Sequence, residues 1–144
     1  MRKTLFLAIT LVLAYAATGS AAEKKVIRPK GVTPGGPYSP GILVDGTLYA
    51  AGQVGRDAAG NIPTDFESEV KQTLDNVGAI LKEAGMTFSD ALSVQVYLTD
   101  MDMFARMNAV YLTYFPDPRP ARTTVGVAKL VGASRIEVTV TAKK

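Results

Sequence analysis

The clearest pattern lies between Phe66 and Leu81. Phe66, Val70, Leu74, Val77 and Leu81 recur three and four residues apart, which predicts an amphipathic helix through "PTDFESEVKQTLDNVGAILKEAG". Thr64 ahead of the run reads as its cap, with Glu67 completing a capping box, and Gly85 suits the stop. The period then changes. In "ALSVQVYLTD", Leu92, Val94, Val96 and Leu98 alternate with Ser93, Gln95 and Tyr97, as in a strand. A second helix follows in "MDMFARMNAVYLTYF", capped by Thr99 or Asp100, with Phe104, Met107, Tyr111 and Tyr114 on one stripe and Pro116 at its end. Earlier, Asp45-Gly46 separates two apolar runs and predicts a hairpin with strands near 41–44 and 47–53. Two more strands are expected at 122–130 and 135–142. The order is β-β-α-β-α-β-β, an α+β domain with one mixed sheet and both helices on one face.

The alternation also assigns the face of the sheet away from the helices. Ser93, Gln95, Tyr97, Thr124, Gly126, Glu137, Thr139 and Thr141 are expected there. That set is small or polar but scarcely charged. A face turned to water more often carries Lys and Glu, so the pattern suggests packing against further copies of the chain.

The first residues follow a different logic. "MRKTLFLAITLVLAYAATGSAAEKK" runs from two basic residues through an apolar stretch to small residues, the order of a secretory signal peptide cleaved after Ala21 or Ala22. The apolar run is short for a membrane span, which needs about 20 residues. The expected organisation is a signal peptide over 1–22 and one domain over 23–144, periplasmic or secreted, with no stable membrane anchor. Residues 23–37 read as an arm leading into the domain. Cleavage would remove Arg2 and Lys3 and no acid, lowering the net charge from +3 to +1. A nearly neutral domain gives little electrostatic reason to bind nucleic acid.

Composition narrows the chemistry. The 144 residues contain no Cys, His or Trp. Disulfides, thiol nucleophiles, Cys/His zinc sites and Ser-His-Asp triads are excluded. No clustered Asp/Glu motif argues for magnesium. What remains is carboxylates, guanidinium groups, hydroxyls, backbone groups and water. Arg122 follows the stiff "FPDPRPA" segment as the chain enters a strand. It reads either as an exposed strand-start residue or as a fork set to receive a carboxylate or phosphate. Glu137, inside an apolar-alternating strand, is either a surface residue or a general base that orients water. In "GGPYSPG", Tyr38 lies in a rigid turn that could border a ligand. Gly52 in "AAGQV" suggests a bulge or a close backbone approach. Gln53 beside it and Asn108 on the second helix are open between structural and binding roles.

Taken in order, "GPYSPG", "LYAAGQV", "QTLDNVGAILKEAG", "VQVYLTDMDMFARMNAVYLTYF", "PARTTVGVAKL" and "IEVTVTA" resemble the Rid family of reactive intermediate deaminases, also called the YjgF/endoribonuclease L-PSP family. The resemblance covers about residues 28–142. It implies a chorismate-mutase-like fold and a homotrimer with active sites in clefts between subunits. It also implies hydrolysis of enamine/imine intermediates such as 2-iminopropanoate and 2-iminobutanoate to 2-oxo acids and ammonia, without metal or cofactor. On the family motif, Arg122 matches the residue that anchors the substrate carboxylate. Glu137 matches the water-positioning glutamate. Tyr38 and Asn108 match the binding tyrosine and asparagine, and Ala51 and Gly52 lie at the substrate-binding turn. Two positions depart from the pattern: Ala51 stands where serine is frequent before "GQ", and Thr124 where cysteine is common. These departures leave a second reading, a non-enzymatic trimer that binds small carboxylates. A third, an endoribonuclease, rests only on the older family name and is opposed by the charge and the missing histidine.

Overall fold

A computed structural model describes residues 21–32 and 36–144. All but the last two residues of the expected signal segment, and Gly35 of "GGPYSPG", lie outside the described residues. The elements are β1 (Lys25–Ile27), β2 (Gly41–Val44), β3 (Thr47–Ala50), β4 (Gln53–Val54), α1 (Phe66–Glu83), β5 (Ala91–Leu98), α2 (Phe104–Tyr111), β6 (Ala121–Gly126) and β7 (Ile136–Lys143). They form one sheet in the order β1-β2-β3-β7-β5-β6, with β4 also paired to β7. Among the described strands only β5 and β6 run parallel. Parallel neighbours require a crossover, and α2 supplies it.

The hairpin joining β2 to β3 turns at Asp45 and Gly46, with φ of 48° and 73°. Two consecutive positive φ values define the turn that matches strand twist, which is why Asp-Gly occupies it. In α1, Phe66, Val70, Leu74, Val77, Ile80 and Leu81 are buried. They meet Val94, Val96 and Leu98 of β5 and Ile136, Val138 and Val140 of β7 in one core. Each such side chain contributes about 1.5–3 kcal/mol on leaving water. The alternation in β5 and β7 thus defines the helix-covered side of the sheet, as the sequence predicts.

Five details differ from the expectations. Asp65, not Thr64, caps α1, its Oδ2 accepting from the Ser68 N–H at 2.8 Å. Glu67 is turned outward and binds Arg106 of α2 instead of closing a capping box. Lys25–Ile27, read as part of an arm, is a short edge strand on β2. Its three residues are too few to show a period. The second helix begins as a 3₁₀ turn at Met101–Met103, capped by Asp100, and α2 ends at Tyr111, before Pro116. Finally, β6 pairs with β5 so that Val94 faces Arg122 and Val96 faces Thr124. Arg122, Thr124 and Gly126 therefore lie on the helix side, and Ala121, Thr123 and Val125 share the open side with Ser93, Gln95 and Tyr97. An edge strand exposed on both faces lacks the alternation that would have fixed its parity.

Candidate functional site

The parity of β6 decides what Arg122 can do. Its guanidinium carbon lies 4.6 Å from the centroid of the Tyr111 ring and 5.6 Å from that of Phe104. Phe115 stacks on Tyr111 at 4.2 Å, so the ring is itself fixed. Cation–π contact holds the guanidinium against the ring without consuming its N–H donors. Among the described residues, Arg122 has no carboxylate partner and its side chain makes no hydrogen bond. It opens onto a cleft of about 370 Å³ between α2 and the β6 entry, lined by Asn108, Tyr111, Leu112, Arg119, Pro120 and Arg122.

Among the described residues two buried hydroxyls in this region also lack partners, those of Tyr111 and Thr124. Tyr111 is only 3% exposed. Burial raises the pKa of its phenol, while the positive charges of Arg122 and Arg119 act in the opposite direction. The hydroxyl therefore stays protonated at neutral pH. The Asn108 side-chain amide makes no hydrogen bond among the described residues. This margin of the molecule thus gathers fixed positive charge and unspent donors, an arrangement complementary to a small anion.

Glu137 belongs to a second cluster. It lies on the open face of β7, opposite Val54 of β4 and Tyr97 of β5. Its carboxylate has no donor among the described residues. It rests against Gly52, where a side-chain methyl would sit 2.8 Å from the carboxyl carbon and nearer still to Oε1. The bulge expected at Gly52 is a break between β3 and β4, and the reason for glycine is this close approach. Gln53 is structural: its Nε2 donates to the carbonyls of Ala51 and Gly52, each at 3.0 Å. The Ala51 N–H donates to the Pro40 carbonyl at 2.8 Å, tying this turn to the segment that carries Tyr38, which is 52% exposed.

Glu137 is also held from behind. Two residues upstream, Arg135 donates from its backbone N–H and its Nε to the two oxygens of Glu69, at 2.7 and 2.6 Å. Its Nη2 reaches the carbonyls of Pro63 and Thr64. Glu69 is fully buried in α1. A carboxylate so placed fixes the start of β7 against the helix.

The candidate residues therefore form two groups rather than one. Arg122, Asn108 and Thr124 lie on the helix side at the β6 edge. Glu137, Gly52, Ala51 and the Tyr38 segment lie by the β4–β7 pairing. Glu137 is level with Tyr97 and Val125, three residues along from Arg122. Two strand spacings and three residues separate their backbones by roughly 14 Å, with the side chains on opposite faces. Sequence reasoning missed Tyr111 and Arg119. Tyr111 follows Asn108 by three residues and so shares its helix face, the one signal that pointed to it.

Residues 29–144 match the family model described as Endoribonuclease L-PSP, and the chain belongs to that family, the YjgF/Rid proteins. It is 43% identical over 105 residues to the 2-iminobutanoate/2-iminopropanoate deaminase of Mus musculus, covering 72% of this chain and 78% of that protein. It is 41% identical over 121 residues to a RutC family protein of Sulfurisphaera tokodaii, covering 83% and 97%. The structure of E. coli TdcF with bound serine superposes with a TM-score of 0.77 at 32% identity, covering 84% of this chain and 99% of that one. The α+β fold expected from the resemblance is thus the family's own.

Proposed function

We propose that the protein is an exported deaminase of 2-iminobutanoate/2-iminopropanoate type, working as a homotrimer whose active sites lie between subunits. The observation that carries this reading is Arg122: a guanidinium with no acidic partner among the described residues, held against the Tyr111 ring at the mouth of a cleft. A 2-imino acid brings a carboxylate that such a fork grips with two hydrogen bonds. The deaminase name of the mouse relative and the serine bound to TdcF, an amino acid with the same carboxylate, support the choice of ligand. Because one chain keeps Arg122 and Glu137 on opposite faces, the partner subunit's Glu137 completes the cleft.

The chemistry follows from that pairing. Arg122 anchors the carboxylate, with the Asn108 amide beside it, so that the adjacent C=N carbon is fixed in position. Glu137 takes a proton from water as the oxygen bonds to that carbon, and the C=N electrons move to nitrogen. The nitrogen gains protons, the carbon–nitrogen bond of the tetrahedral intermediate breaks, and ammonia leaves as the carbonyl forms. The sum is imine plus water giving 2-oxo acid plus ammonia. Imines already hydrolyse in water, so orientation and one carboxylate suffice. In this reading residues 1–22 are removed as a signal peptide and the domain acts in the periplasm or outside the cell.

The test generates 2-iminobutanoate with an amino-acid oxidase and traps the remainder with semicarbazide. Wild-type protein should reduce the trapped product, and Arg122→Ala should not. Equal trapping with both proteins rejects the deaminase and favours the carboxylate-binding trimer. Light scattering should give three times the chain mass, and a stable monomer rejects the shared cleft.

A further inference from the structure

The cleft beside α2 contains a second guanidinium that anchoring one carboxylate leaves unused. Arg119 lines the same cavity as Arg122, with Pro120 between them at the β6 entry. Both charges reach the buried, unpaired Tyr111 hydroxyl, on which each acts to favour the ionised form. Both groups border the same cleft, three residues apart in the chain.

We propose that the cleft accepts a substrate with two anionic ends, a 2-imino or 2-oxo dicarboxylate. Arg122 takes the carboxylate beside the reacting carbon and Arg119 takes the distal one. This rests on the deaminase reading of the site and names its substrate class. The nearest competitor is Asp117, whose Oδ1 lies 2.6 Å from Nη1 of Arg119. Both side chains of that pair are largely in water, at 45% and 74% exposure. Such a pair contributes little and exchanges readily for a ligand carboxylate. Leu112 provides an apolar wall for the methylenes between the two ends. A three-carbon monoacid would leave Arg119 and much of the cavity unused.

Calorimetry on the assembled protein tests this without turnover, using 2-oxoglutarate and 2-oxobutanoate as probes. Wild type should bind 2-oxoglutarate roughly tenfold more tightly, the scale of one added charge-assisted hydrogen bond. Arg119→Gln should shrink that preference to within about twofold while leaving 2-oxobutanoate unchanged. Asp117→Asn, which frees Arg119, should strengthen 2-oxoglutarate binding alone. Arg122→Gln should weaken both ligands. Equal wild-type affinities, no binding of either ligand, or an Arg119→Gln effect common to both overturns the proposal. Failure of the deaminase reading would appear separately, as absent hydrolysis in the trapping assay while the calorimetric preference persists.

Discussion

Replacing Gly52 by alanine tests the geometry of Glu137 without touching its chemistry. The added methyl would lie 2.8 Å from the carboxyl carbon and 3.2 Å from Cγ of Glu137. Carbon atoms rest at about 3.5–4.0 Å, so the carboxylate must retreat by roughly 1 Å. The obstacle is the end of a flexible side chain, and the fold should accommodate it. An off-rotamer glutamate costs about 0.5–1.5 kcal/mol, a small shift in Tm. Activity should suffer far more, since a displacement of about 1 Å in a positioning group can lower the rate by about 100-fold. The assay pairs the semicarbazide trap with a thermal melt. Gly52→Ala should melt close to wild type, retain calorimetric binding of a 2-oxo acid through Arg122, and lose kcat. Full activity in a folded Gly52→Ala protein would refute the placement of Glu137 in the reaction. Equal loss of binding and kcat would refute the division of labour between the two clusters.

Two further outcomes concern the scaffold. Glu69→Gln removes the charge that faces Arg135 and should destabilise the domain by about 2–3 kcal/mol, read as a lower urea midpoint with unchanged slope. Because that pair anchors β7 ahead of Glu137, the same variant should also lower kcat. Tyr114 has its pKa pushed up to about 12, first by burial and then by its hydrogen bond to Asp75. Its folded value exceeds the unfolded one, so its contribution is complete below pH 10 and is lost as pH rises from about 10 through about 12. Ultraviolet titration should find Tyr111 and Tyr114 ionising late, and Tyr114→Phe should remove one tyrosine from that late phase together with its part of the alkaline loss of stability.

The sequence declared most of the core because period and burial coincide there. α1 shows its period because one face packs on β7, β4 and β3, and β5 and β7 alternate because one side of each lies in the core. Legibility falls at the margins. The start of α1 reads as Thr64 with Glu67 in a capping box, but the cap falls one residue later, on Asp65, because Glu67 is drawn outward to Arg106. Leu92 looked like a core position, but a bulge between Ala91 and Ser93 turns it outward, 54% exposed. The parity of β6 was misread because "ARTTVG" has no consistently buried side. That error mattered most, since it decided which face carries Arg122. Arg122, Glu137, Asn108 and Gly52 were nevertheless marked from local chemistry and resemblance. Arg119 was not, because an arginine between prolines on an exposed loop has nothing local to distinguish it.

The separation of Arg122 and Glu137 across one sheet has a consequence for how such a protein would respond to its surroundings. In the proposed mechanism a solitary copy carries an anchor without a base on one side and a base without an anchor on the other. A molecule gripped by both must join two chains, so ligand and quaternary structure reinforce each other thermodynamically. Dilution would then silence the chemistry while leaving every chain folded, and abundant substrate would restore it by drawing the copies back together.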